Sequence, residues 1–169
     1  MPKPETTDFP EFYGVYISKV EADHLHKAVT TYSDLLIAFY TGLPEEKAAF
    51  RYADDKWTLK ELLQHVVDTE RIMSYRLLRI ARQDRTPLAS FDENEFAANS
   101  RANNRSFASI KEEFVAVRRA TDLLIQSLND EQLSQQGTAS NKPVTANAVG
   151  YIIFGHLLHH KKVIEERYL

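Results

Sequence analysis

Four stretches of this chain repeat apolar residues at spacings of three and four, and no pair of stretches alternates them convincingly at spacing two. That periodicity constrains the fold more than any other feature, because it demands helices that bury one stripe each. In the first stretch Val20, Leu25, Ala28, Val29, Tyr32, Leu35, Leu36 and Phe39 share a stripe that "GLP" at 42–44 terminates. The second opens on "WTLKELL": Thr58 can cap the helix with Glu61 three residues on, and Trp57 and Leu62 stand where a hydrophobic staple needs them. This helix is expected to reach about Arg82. A third runs from about Ser106 or Ser109 to Leu128, with Ser109 and Glu112 in a second capping-box pattern and Ile110, Phe114, Val117, Leu124 and Leu128 as its stripe. The fourth begins near Thr145 and continues almost to the end.

Between the second and third helices lies "DRTPLASFDENEFAANSRANN", residues 84–104, a polar crossover loop with one short turn of helix expected around "NEFAAN". "NDEQLSQQGTASNKPV" separates the third from the fourth. With 169 residues the chain can build one good core and is short of two, so residues 1–169 are expected to form a single all-α domain, a four-helix bundle with a long crossover. An apolar fraction of 43% with 27% charged residues excludes a disordered class. The net charge of -3, with Lys and Arg scattered among acidic residues, gives no basic stripe for nucleic acid. The absence of cysteine removes disulfides, thiolate metal sites and a cysteine nucleophile. No apolar run approaches the ~18 residues of a membrane span and the N-terminus lacks a signal-peptide apolar region, so no membrane association and a cytoplasmic location are expected.

Three of the six histidines fall within "GHLLHH" of the fourth helix. Residues four apart lie ~40° apart in projection and one turn apart along the axis, so the rings of His156 and His160 can reach one point. On that projection the apolar face centres close to His160, with His156 flanking it and His159 turned toward the charged side. Buried imidazoles without a shared partner would be costly, which favours a metal ion between His156 and His160. A third ligand should come from another helix. His65 of "LLQHVVDTE" is the first candidate, since three histidines leave an open position for chemistry. Periodicity alone also allows Glu70, which falls in the middle of the second helix's apolar face while His65 falls at its edge. His24 and His26, two apart, point in different directions and read as surface histidines. Arg76, Arg79, Arg82 and Arg85 give the second helix a basic end suited to its dipole, with anion binding by one of them as the minority reading.

The pattern "WTLKELLxHVVDTE", followed some ninety residues later by "GHLLHHKKVIEERYL", resembles the DinB-like superfamily of metal-binding four-helix bundles, which includes YfiT-type proteins, and the resemblance covers nearly the whole chain. It implies an up-down-down-up bundle whose long crossover joins helices two and three. It also implies a metal triad of His65, His156 and His160, which leaves Glu70 and His159 as groups standing behind the ligands. Family members with assigned activity are largely S-transferases using bacillithiol or mycothiol, together with a mycothiol-dependent maleylpyruvate isomerase, and dimers are common. The expectations for this chain are therefore a divalent ion, zinc or nickel first, a small-molecule substrate, a low-molecular-weight thiol as co-substrate, and a homodimer. A hydrolase on the same site and a non-catalytic metal-binding stress-response bundle are the alternatives. No Gly-rich phosphate loop, nucleotide fingerprint or His-Glu-x-x-His arrangement is present.

Overall fold

The computed structural model describes all 169 residues. In chain order they form α1 (Gly14–Ile17), α2 (Leu25–Thr41), α3 (Leu59–Ala81), α4 (Glu93–Asn99), α5 (Phe107–Gln126), α6 (Asp130–Leu133), β1 (Gln136–Ala139), β2 (Lys142–Thr145) and α7 (Ala146–Arg167). The four long helices α2, α3, α5 and α7 make a bundle in which α3 and α2 each pack on both α5 and α7, and so occupy opposite corners. Leu25 and Leu36 of α2, Leu63 and Leu77 of α3, Phe107 and Phe114 of α5, and Ile152 and Phe154 of α7 meet in one continuous core.

Side-chain contacts fix which ends adjoin. Lys60 donates to the Arg105 carbonyl at 2.6 Å, so the start of α3 lies beside the start of α5. The Tyr168 hydroxyl donates to the Trp57 carbonyl at 2.8 Å, bringing the end of α7 to the start of α3. Tyr151 donates to Ala22 O at 3.0 Å and Tyr40 to Leu157 O at 2.8 Å, so α2 and α7 run past each other from start to start.

The helix starts follow their capping chemistry. Thr58 accepts from the Glu61 amide while the Glu61 carboxylate accepts from the Thr58 amide, the expected box. Thr145 caps α7 by accepting from Ala148 N, and Asp92 caps α4, the short helix expected around "NEFAAN". α5 differs: Ser106, in extended backbone, accepts from the Ser109 amide, so Ser109 lies inside the helix and its pairing with Glu112 is not the cap. Val20 also falls outside its expected helix. His24 is extended and bridges Pro2, which holds the chain off helical geometry until Leu25.

One element departs from the all-α expectation. Residues 136–145 form an antiparallel hairpin that pairs Gln136 with Thr145 and Ala139 with Lys142. Its turn places Ser140 and Asn141 at φ 52° and 60°, the left-handed conformation a tight hairpin turn requires. Leu88 donates to Thr138 O at 2.9 Å and accepts from Ser140 N at 3.0 Å, so the hairpin tip grips the connection 82–106. Burial explains why α7 is weakly amphipathic. From Ala146 to Leu157 it is surrounded on every side, by α1, α2 and α3 among others, and only its last turns have a solvent face.

Candidate metal centre

His65 lies two turns into α3, and His156 and His160 stand one turn apart on α7, which packs directly against α3. The three rings converge through Nε2. Those atoms are 3.1 Å apart for His65 and His156, 3.2 Å for His65 and His160, and 3.1 Å for His156 and His160. His65 and His156 are buried and His160 half-buried. Burial holds the His65 imidazole down at about 4, with His159 adding to the effect. It pushes His156 and His160 well below the ordinary value, helped in both by the neighbouring rings. All three are therefore neutral near pH 7.

Three neutral imidazoles cannot satisfy one another in this arrangement. All protonated on Nε2 they crowd hydrogens into one small space, all protonated on Nδ1 they turn three lone pairs on each other, and a mixed set pairs two rings and leaves the third unmatched. A divalent cation resolves the conflict. Three nitrogens at this spacing can each reach one divalent ion at the ~2.0–2.1 Å zinc–imidazole distance, so His65, His156 and His160 would hold such an ion. The outward Nδ1 atoms are weakly supported: that of His65 lies 3.5 Å from the Thr69 hydroxyl, and that of His160 has no partner.

The triad opens on a cavity of about 390 Å³. Trp57 packs on one side of His65 with ring centroids 4.7 Å apart, so the residue expected only as a staple also walls the site. Tyr16 stands edge-on to His156 at 5.6 Å and to His159 at 5.4 Å. Its approach depends on Gly155, where a Cβ would lie 2.2 Å from the Tyr16 carbonyl oxygen. Further out, Thr69, Met73 and Arg76 of α3, Glu93 of α4, Phe91 and Ser140 complete the wall.

The two groups expected behind the ligands are placed differently: His159 stands edge-on to His160 with ring centroids 5.0 Å apart, whereas Glu70 is turned away from the triad. His159 is half-exposed beside Tyr16 and does not line the cavity. Glu70 points about 140° around α3 from His65, into the core, where its Oε1 meets Arg118 Nη1 at 3.0 Å. Both periodic readings of α3 thus correspond to an inward line, His65 facing α7 and Glu70 facing α5. Arg118 Nη2 also lies 3.1 Å from Asp122, which accepts from Ser33 at 2.6 Å. Burial raises the Glu70 carboxyl although Arg118 opposes it. His26 is not in the site and contacts Leu128 O at 2.9 Å.

Tyr13, Tyr16, Phe91 and Ser140 were not legible as site residues, because α1 with the turn before it, the connection ahead of α4 and the hairpin bring them in. Thr69 and Arg76 did carry a signal: four and eleven residues after His65, they fall within about 40° of it on the helix.

The model of the DinB superfamily matches residues 29–164. The chain belongs to the DinB superfamily. Among the family's relatives, an Oceanobacillus iheyensis protein provisionally named a metal-dependent hydrolase is 27% identical over 121 residues, 69% of each chain. In structure the chain is similar to YfiT from Bacillus subtilis, described as "a probable metal-dependent hydrolase with an unusual four-helix bundle topology", with a TM-score of 0.66 and 16% identity over 98% of this chain and 92% of that one. It is also similar to a mycothiol-dependent maleylpyruvate isomerase, with a TM-score of 0.65 and 14% identity over 83% of this chain and 62% of that one. At these identities the structural likenesses show the fold alone, a four-helix bundle like that of YfiT. No helix of the chain is long and apolar enough to cross a membrane.

Proposed function

We propose that this DinB-superfamily protein is a divalent-metal-dependent enzyme with His65, His156 and His160 as ligands, most consistent with transfer of a low-molecular-weight thiol to a small electrophile. The observation that carries the reading is the convergence of three neutral Nε2 atoms at 3.1–3.2 Å on the floor of a cavity. A bound zinc or nickel ion supplies Lewis acidity that lowers the pKa of a thiol or water brought to it. The chain does the rest. α3 and α7 fix the imidazoles, Trp57 and Tyr16 hold them in orientation and exclude bulk water, and the cavity positions the substrate. With no cysteine of its own, the chain must receive any sulfur nucleophile from a co-substrate.

Hydrolysis on the same site is the second reading, favoured by Glu93, the one carboxylate in the cavity wall and a candidate base, and by the names of the Oceanobacillus and YfiT proteins. The end-to-end contacts of the long helices support the up-down-down-up order. The homodimer and the cytoplasmic location belong to the same proposal. Metal analysis of untagged protein beside His160→Ala tests the centre; the expected result is near-stoichiometric divalent metal that the variant loses. Loaded protein is then assayed with bacillithiol or mycothiol plus a chromogenic electrophile, and separately with aryl esters. Thiol-dependent turnover supports transfer, whereas thiol-independent ester cleavage moves the assignment to hydrolysis. Light scattering reads the dimer.

A further inference from the structure

Arg76 is only 2% exposed, and no carboxylate of the chain lies within 4.0 Å of its guanidinium. Its contacts are neutral. Nη2 donates to Ala89 O at 2.6 Å and to Ser140 Oγ at 3.1 Å, and Nη1 lies 3.7 Å from Met73 Sδ. The guanidinium also stands 5.8 Å from the Phe91 ring centroid and beside the Tyr13 hydroxyl, whose ordinary value burial raises while Arg76 opposes the rise. Of its five N–H donors three are so engaged and a fourth can meet the Tyr13 hydroxyl, which leaves at least one for a ligand. A buried, uncompensated cation is costly. This one lines the same cavity as the three histidines.

We propose that Arg76 is the anion-docking residue of the substrate site, and that the cavity takes an apolar carboxylic acid whose carboxylate pairs with Arg76 while its other end faces the three histidines. The charge count favours a carboxylate. Arg76 is the one cationic side chain in the wall, its supporting groups are a neutral hydroxyl and a carbonyl, and Glu93 is a carboxylate, so the wall offers one planar guanidinium fork that matches a carboxylate and has no surplus of cationic side chains for a phosphate dianion. The apolar part of the wall includes Met73, Ile152, Phe12, Phe91, Tyr16 and Trp57, a surface for a flat or aliphatic body. Arg76 follows His65 by eleven residues, ~16 Å of rise along α3. The two ends of the cavity therefore engage different parts of one molecule. The second half of this proposal rests on the metal-centre reading, whereas the pairing with Arg76 does not.

The test uses 3-phenylpropionate, its neutral amide and inorganic phosphate as probes, titrated by calorimetry into full-length wild type, Arg76→Gln and Arg76→Lys, each metal-loaded and chelated, with metal content measured throughout. Wild type is expected to prefer the acid over the amide by roughly tenfold to a hundredfold in both metal states. Arg76→Gln should abolish the preference with metal content unchanged, and Arg76→Lys should keep part of it. If the preference survives Arg76→Gln but disappears on chelation, the carboxylate sits on the ion and the Arg76 proposal falls while the metal centre stands. If the chain takes up no metal yet shows an Arg76-dependent preference, the metal centre falls and the docking residue stands. Phosphate binding as tightly as the acid overturns the choice of carboxylate. Should Arg76→Gln fail to fold, a crystal structure of wild type with 3-phenylpropionate decides: carboxylate oxygens within hydrogen-bond distance of Arg76 support the proposal, and any other position overturns it.

Discussion

Arg118 and Arg76 are both withdrawn from solvent inside one bundle, yet Arg118 meets two carboxylates and Arg76 meets none. Around Arg118 all four long helices contribute: Ser33 from α2, Glu70 from α3, Arg118 and Asp122 from α5, and from α7 the Phe154 ring, whose centroid lies 4.7 Å from the guanidinium. Its charge is compensated by the chain, so the cluster serves the packing of the helices. Arg76 is held in place by a carbonyl, a hydroxyl and a thioether, and the compensating charge is left to whatever enters the cavity. The difference teaches that a buried cation is read by its counter-charge. Where the fold supplies it the residue is architecture, and where a cavity takes its place the residue faces a ligand.

Breaking the compensated cluster should have the largest effect on stability. Arg118→Leu leaves Glu70 and Asp122 buried without a cation, and removal of one partner of such a pair costs about 3–5 kcal/mol. For a domain of this size that lowers Tm by on the order of 10 °C, read by calorimetry and urea unfolding. A loss under ~1 kcal/mol would mean that water reaches the cluster.

The histidines give an effect of somewhat smaller size in metal-free protein. His65 is held at about 4 when folded against 6.5 unfolded, so as pH falls the unfolded chain takes the proton first. The contribution is complete above pH 6.5 and lost between 6.5 and 4, on the order of 3 kcal/mol. Urea midpoints of chelated wild type and His65→Gln across that window should converge as pH falls. Parallel curves would show that His65 is not the buried neutral ring described.

Metal removal comes next. At free metal one hundred times Kd, binding to the folded state alone adds ~2.7 kcal/mol. Chelation should therefore lower the stability of the wild type and leave His160→Ala unchanged. An equal response in both proteins would place the ion elsewhere.

Much of this architecture is written locally in the chain. The Thr58–Glu61 box, the Thr145 cap and the spacing of His156 and His160 are each set within four residues, and helical periodicity carries them into the structure without distortion. The hairpin at 136–145 escaped because its strands are four residues each, one contains Pro143, and its turn uses Ser-Asn in place of the glycine-containing pairs that signal such turns. Glu70 shows a different limit. Its position in the apolar face of α3 identified it as inward-facing, but periodicity does not say which of two neighbours a helix in a bundle presents a residue to, and Arg118 lies forty-eight positions away. Arg76 was visible as one of a basic series; that it alone is buried depends on Ala89 and Ser140, which the gripped connection brings over it.

The smallest stability effect sharpens the comparison most. Arg76→Gln removes charge-assisted hydrogen bonds to Ala89 O and Ser140 Oγ, worth about 1.5–3 kcal/mol each. It also removes a desolvated charge, a gain of opposite sign and comparable size. No carboxylate is orphaned by the change, so the net loss should stay within about 1 kcal/mol by urea unfolding, several-fold below that of Arg118→Leu. That inequality is the measurable content of the contrast. If Arg76→Gln proved as destabilising as Arg118→Leu, the folded chain would already be using the Arg76 charge, and no part of that charge would be left for a ligand to recognise.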